Sequence, residues 1–245
     1  MPWKLTAVGE KNSTNEECSL GNLVADAARY YLETDVAIIC GGDLAGNLSP
    51  GELTKDELIG VFAEDRVLAT TSVTVKSLRE ILETGVSHIT LDESEKVDGI
   101  LSSYDGFPQI SGFVFYYDVS SPAGERVYDI KIDGESVDLS DDRRYLTLSA
   151  PGYMLEGGYG FPAFDNTALS GVTLSEVTAW YISNGMPGYS RTENRTHIRG
   201  AYDGGLAAYV PYQILPFAVI LFFIAYTSRS KRGEKTKTRE NTPWY

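Results

Sequence analysis

"CGGDLAGNLSPGELT", residues 40–54, follows the short apolar run "DVAII". The run reads as a buried strand. Two glycines, an acid, a third glycine and a Pro-Gly turn come straight after it. Glycines at the mouth of a strand mark a place where backbone comes close to something small. The loop is therefore either a ligand-holding loop or a turn. Upstream, "SLGNLVADAARYYLE" spaces Leu20, Leu23, Val24, Ala27, Ala28 and Tyr31 as one helical face, with Ser19 as a candidate cap. Downstream, "LTKDELIGVF" reads as a short helix, with Thr54 and Glu57 forming a capping box.

Further along, "RVLATTSVTV" is rich in β-branched residues and reads as a strand, and "KSLREILETGVSHI" as a helix ending near Gly85. "SGFVFYYDVS" and "RVYDIKIDGESVDL" form a hairpin pattern around "SPAGE". "RRYLTLSAPGYM" is another strand, "GGYGFPAF" a Gly-aromatic loop, and "TLSEVTAWYISNG" a final helix. Helices and strands mix early and strands gather late. That order predicts an α+β domain with a mixed β-sheet and packed helices.

The chain has 245 residues, 42% hydrophobic and 22% charged, and a formal net charge of -13. It is long enough for a sizeable core. Its acidity argues against a nucleic-acid partner, which needs clustered Lys and Arg. The charge is uneven. "RSKRGEKTKTRE" near the C-terminus is basic, so the body is more acidic than the total implies. Between body and tail, 206–226 carries no charge. A bilayer core takes about 20 such residues. The segment is expected to be a transmembrane helix and the bilayer a partner. A buried core helix is the other reading. The basic flank places the tail, 227–245, in the cytoplasm and the body outside. No apolar run near the N-terminus reads as a signal peptide. The chain then looks like the C-terminal part of a longer product, or a tail-anchored protein with its body inside.

Three sequons, Asn12-Ser13-Thr14, Asn47-Leu48-Ser49 and Asn194-Arg195-Thr196, agree with an outside location. The two cysteines, Cys18 and Cys40, sit at the start of a helix and the end of the next strand. A disulfide between them and a pair of free buried thiols are both open. The chain has two histidines, His88 and His197, far apart. Neither a metal-hydrolase ligand set nor a serine triad can be assembled from them. No catalytic residue and no cofactor is assigned to this chain.

"EECSLGNLVADA", "TDVAIICGGDLAGNLSPGELTKDEL", "LREILE", "QISGFVFYYD" and "LEGGYGF" occur in this order. Together they resemble the C-terminal domain of the 5′-nucleotidase family, which includes UDP-sugar hydrolases and 2′,3′-cyclic nucleotide phosphodiesterases. The resemblance runs from 17 to 164, with a family-like last helix to about 184. It implies a lead-in over 1–16, the domain over 17–185 and a linker over 186–205. It also implies a division of labour. A separate N-terminal metallophosphoesterase domain, in cis or in trans, would bind divalent metals and hydrolyse. The domain seen here would bind a nucleoside or sugar, and would be inactive alone.

The family's contact positions are changed. Its Asn-Gly-Gly-Gly-Ile-Arg motif reads Cys40-Gly41-Gly42-Asp43-Leu44-Ala45, so Ala45 stands where an arginine binds substrate. A second arginine position is Thr14. The base-stacking phenylalanine of Pro-Phe-Gly-Asn becomes Glu64 within Ala63-Glu64-Asp65-Arg66. The second stacking ring is matched by Tyr153. Gly-Gly-Asp-Gly becomes Gly157-Gly158-Tyr159-Gly160. Gly41, Gly42, Asp43, Tyr153, Gly157, Gly158 and Tyr159 are the substrate-binding residues the resemblance implies. Losing two arginines weakens phosphate recognition. The expectation is a retained frame with a degenerate nucleotide pocket. A non-catalytic surface module that kept only the fold is the alternative.

Overall fold

A computed structural model describes residues 5–6, 13–49, 52–90, 102–185 and 192–200. The 206–226 segment, the basic tail, the Pro50-Gly51 turn and most of the polar loop before Ser102 lie outside the described residues. Among the described residues no helix is long and apolar enough to cross a membrane.

The elements follow in chain order. Strand β1 (Leu5–Thr6) precedes helix α1 (Ser19–Tyr31), strand β2 (Val36–Cys40), a 3-10 turn over Gly41–Asp43 and strand β3 (Asn47–Leu48). Helix α2 (Lys55–Ile59), strand β4 (Val67–Thr74) and helix α3 (Val75–Val86) come next. Strands β5 (Pro108–Ser111), β6 (Phe113–Asp118), β7 (Val127–Ile132), β8 (Glu135–Ser136) and β9 (Tyr145–Pro151) follow. Helix α4 (Gly152–Leu155), a second 3-10 turn over Gly158–Gly160, β10 (Ala168–Thr173), α5 (Leu174–Ser183) and β11 (Thr196–Arg199) complete the fold.

The central sheet has five strands in the order β10-β4-β9-β2-β5. It is mixed, because β2 and β9 run parallel while the other neighbours are antiparallel. A second sheet orders β11-β6-β7-β8, and β1 pairs with β3. The alternation of "VAIIC" decides what packs where. Val36, Ile38 and Cys40 join a core with α3 and the β6–β7 hairpin. Ala37 and Ile39 join a second core with α1, α2 and α5. The domain is thus three layers around one mixed sheet.

Several helix ends are fixed as the sequence reads. Thr54 and Glu57 make the capping box on α2, with Glu57 N donating to Thr54 Oγ1 at 3.2 Å and Thr54 N donating to Glu57 Oε2 at 2.8 Å. On α1 the cap is Cys18, not Ser19: its Sγ accepts from Gly21 N at 3.2 Å. Helix α3 ends at Val86, next to Gly85, as the sequence reads. A Cβ on Gly85 would sit 2.9 Å from Pro108 Cδ, so close packing, not chain reversal, selects the glycine.

Two boundaries move. β1 lies in the expected lead-in and β11 in the expected linker, and each pairs with the domain's strands. β11 alternates no large apolar residues and its pairing is long-range, so period alone does not find it. β3 and β10 are also additional to the strands read from sequence. The cysteine bridge is not formed: both thiols are buried and no disulfide joins them. The physical reason is strand alternation. Cys40 points into the α3 side of the sheet, whereas Cys18 packs in the α1 core.

Candidate functional site

Three chain segments meet at one edge of the central sheet. They are the turn after β2, which carries Asp43, the approach to β4, which carries Arg66, and the end of β9 with the turns behind it, which carry Tyr153 and Tyr159. Parallel β2 and β9 bring their C-terminal ends together, and antiparallel β4 starts at that same edge.

Arg66 Nε donates to Asp43 Oδ1 at 2.7 Å. The Tyr159 hydroxyl donates to the same oxygen at 3.1 Å and accepts a longer contact from Arg66 Nη2 at 3.4 Å. The Arg66 guanidinium carbon lies 4.1 Å from the Tyr153 ring centroid and 5.7 Å from that of Tyr159. The two tyrosine rings meet edge to face, with centroids 5.2 Å apart. A cation over a tyrosine face is worth about 0.5–2 kcal/mol, more as it is desolvated.

Asp43 is fully buried and Arg66 is 22% exposed. Burial raises the Asp43 pKa, and the Arg66 hydrogen bond opposes it. Burial also works against the Arg66 charge, but its bonds to Asp43 and Tyr159 outweigh that and hold the guanidinium above its ordinary value. The Tyr159 hydroxyl is pushed up to about 12, by burial first and then by the Asp43 charge. At neutral pH this is a neutral tyrosine bridging a buried ion pair. The second Asp43 oxygen, Oδ2, is buried with no hydrogen-bond partner among the described residues.

The glycines play a different part from the one their position suggests. Gly41 N donates to Phe107 O and Gly42 N to Asp105 O, both at 2.8 Å. Those amides are engaged within the chain. A Cβ on Gly41 would sit 1.9 Å from Ser13 O, and one on Gly42 would sit 2.4 Å from Asp105 Cβ. The small thing the loop approaches is the chain's own backbone and Asp105. Gly157 is left-handed at φ 99°, and Gly158 lies against Tyr153, with 2.3 Å between a would-be Cβ and Tyr153 Cε1. Tyr159 itself has φ 52°. An aspartate tolerates that region better than a tyrosine does, so the side chain is held there against a cost of about 1–2 kcal/mol. Tyr104, which donates its hydroxyl to Tyr159 O, and the bonds to Asp43 and Arg66 provide the restraint.

Of the residues expected to touch ligand, Asp43, Tyr153 and Tyr159 converge with side chains. Gly41, Gly42, Gly157 and Gly158 shape the backbone around them. Arg66 is the residue the pattern does not announce: its motif position predicts a neutral amide, and its charge is the visible signal. Glu64, at the expected ring position, is exposed, and the face of Tyr153 is taken by Arg66 instead. Ala45 is exposed and its amide donates to Val61 O at 2.8 Å. The open space beside the slot is a cleft of about 300 Å³ bordered by Arg66, Tyr153, Glu64, Glu156 and Leu169. Tyr159 also borders a second cleft of about 350 Å³, with Tyr104 and His88, whose ring centroids lie 4.5 Å apart with the planes tilted by 41°. Among the described residues no three His, Cys, Asp or Glu side chains are grouped to hold a metal ion.

Comparison with known proteins agrees with this frame. The family model described as "5'-nucleotidase, C-terminal domain" matches residues 4–166. The chain is similar to the trifunctional nucleotide phosphoesterase protein YfkN of Bacillus subtilis, 27% identical over 156 residues, which are 61% of this chain and 10% of that protein. It is also similar to the endonuclease YhcR of the same organism, 28% identical, covering 58% of this chain and 10% of that protein. The chain thus spans about a tenth of these relatives. Among solved structures, a 5'-nucleotidase precursor from Thermus thermophilus shares the fold with a TM-score of 0.65 at 24% identity, covering 80% of this chain and 38% of that one. By the extent of the family match and the three-layer fold that carries it, the chain belongs to the family of 5'-nucleotidase C-terminal domains.

Proposed function

We propose that this chain is the substrate-recognition part of a 5′-nucleotidase-type phosphoester hydrolase, held outside the cytoplasm by a membrane span at 206–226. Hydrolysis would fall to a metallophosphoesterase domain in cis or in trans, with divalent metals bound there. The pocket would take a nucleoside-like or sugar-like group at Tyr153, Tyr159 and Asp43, framed by Gly41, Gly42, Gly157 and Gly158. The observation that carries the reading is the convergence of Asp43, Arg66, Tyr153 and Tyr159 at one sheet edge. The family frame supports the role, and the substituted contacts support an altered preference.

The test is a comparison of two preparations. The isolated chain, given divalent metal, is expected to turn over neither AMP nor UDP-glucose nor 2′,3′-cyclic AMP. The native membrane-bound gene product is expected to hydrolyse a phosphoester, with KM raised at least tenfold by Tyr153→Ala. Turnover by the isolated chain, or a Tyr153→Ala variant with every KM unchanged, overturns the proposal. A second reading is a non-catalytic surface module, favoured by the fact that Arg66 already fills the stacking face. It predicts a native product with no phosphoester turnover at all.

A further inference from the structure

Arg66 is not a wall of the slot but what fills it. Its guanidinium carbon lies over the Tyr153 ring, 4.1 Å from the centroid, well inside cation–π range. Tyr159 meets Tyr153 edge-on and donates its hydroxyl to Asp43 Oδ1, so ring face, ring edge and carboxylate form one recess. Asp43 is fully buried, and its Oδ2 has no hydrogen-bond partner among the described residues, although a carboxylate of this kind normally binds a guanidinium through both oxygens. Glu64 and Glu156 border the adjoining cleft and favour a positive ligand over a negative one.

The exchange has a charge constraint. A neutral or anionic ring that displaced Arg66 would leave a buried carboxylate without its counter-charge. A planar cation would not, because one flat positive group replaces another. We propose that the slot bounded by Tyr153, Tyr159 and Asp43 is a binding site for a planar cationic group of the amidinium or guanidinium class, with Arg66 as its resident occupant. The proposal rests on reading this pocket as a ligand site. It narrows that reading: among nucleoside-like groups the slot takes one whose flat end is positively charged, it excludes a neutral base or a sugar there, and binding requires Arg66 to leave.

Benzamidine is the probe and neutral benzamide its isosteric control, titrated calorimetrically into the full chain in detergent micelles. Arg66→Ala is expected to bind benzamidine at least tenfold more tightly than the wild type does, and at least tenfold more tightly than it binds benzamide. Adding Asp43→Asn to Arg66→Ala is expected to abolish the difference between the two probes. Benzamidine, and not benzamide, should also raise the thermal midpoint of Arg66→Ala. If that variant cannot be purified folded, Arg66→Gln keeps the polar volume and gives the same comparison. Equal affinity for both probes, or benzamidine binding indifferent to loss of Arg66, overturns the inference. AMP titrations and hydrolysis assays on the same samples test the recognition role separately, and neither outcome there alters the amidine-to-amide ratio.

Discussion

Arg195 forks onto Asp26 across 169 residues of chain, with Nη1 to Oδ1 at 2.8 Å and Nη2 to Oδ2 at 2.7 Å. The same guanidinium donates to Ile110 O and to Glu193, and Glu17 accepts from the Arg195 and Glu193 amides at 2.7 Å each. Ser111 donates to Asp26 from β5. These contacts fasten β11 to α1 and β5, so the chain's last described strand is tied to the core of the domain. Removing one partner of such a pair leaves a buried charge, at a cost of about 3–5 kcal/mol. Arg195→Ala should lower the urea midpoint accordingly, and Arg195→Lys should recover little, because a point charge cannot fork. A loss under 1 kcal/mol would mean that β11 is not held by this pair.

The glycine loop after β2 makes a sharper demand than a general preference for turns. Gly41→Ala places a methyl group 1.9 Å from the Ser13 carbonyl, and backbone cannot yield as a side chain can. Overpacking of this kind costs about 1–3 kcal/mol. Gly124→Ala is the contrast. It has open space around it but a φ of 92°, so its cost is conformational alone. Thermal melts should rank Gly41→Ala below both Gly124→Ala and the wild type. If Gly41→Ala melts with the wild type, the close approach is not there.

How far the sequence speaks depends on whether its signal is local. The faces of "VAIIC", the Thr54–Glu57 box and the hairpin around "SPAGE" are written in neighbouring residues, and each is found in the fold. β11 is written in pairs separated by most of the chain, such as Arg195 with Asp26, and no window along the sequence contains both. At the site, Asp43, Tyr153 and Tyr159 are implied by the family resemblance alone, and the fold brings their side chains together. Arg66 stands where the family motif has a neutral amide, so the resemblance assigns it no contact. Only the meeting of β2, β4 and β9 at one edge turns it inward onto Tyr153.

Asp35 gives the fold a pH dependence on its acid side. Its Oδ2 accepts from the Thr147 amide at 2.7 Å and from the Thr147 hydroxyl at 2.8 Å, joining the start of β2 to β9. These bonds favour the charged form and hold the carboxyl below its ordinary 3.8. The folded state therefore binds this proton less readily than the unfolded state. Its contribution is fully present above 3.8 and is lost as pH falls through the lower folded value. Asp35→Ala should cost less than about 1 kcal/mol at neutral pH, because Asp35 is exposed and solvent screens its bonds, and should flatten the acid limb of a stability–pH curve. An acid limb of unchanged slope in the variant would assign the effect to other carboxylates.

Cys18 and Cys40 offer a direct chemical check on the two-faced sheet. Both are fully buried and not joined in a disulfide, on opposite sides of β2. Burial first, and then the nearby Asp43 charge, raise the Cys40 thiol well above its ordinary value, so it is neither exposed nor ionised at neutral pH. A thiol reagent should label neither residue in the native chain and both in urea, with no reductant present at either step. Cys40→Ala should then lower stability by a cavity term while leaving Cys18 unreactive in the native state. Absence of labelling in urea until reductant is added would mean a bridge. It would also mean that Cys18 and Cys40 share one face, which the alternation of Val36, Ile38 and Cys40 against Ala37 and Ile39 forbids.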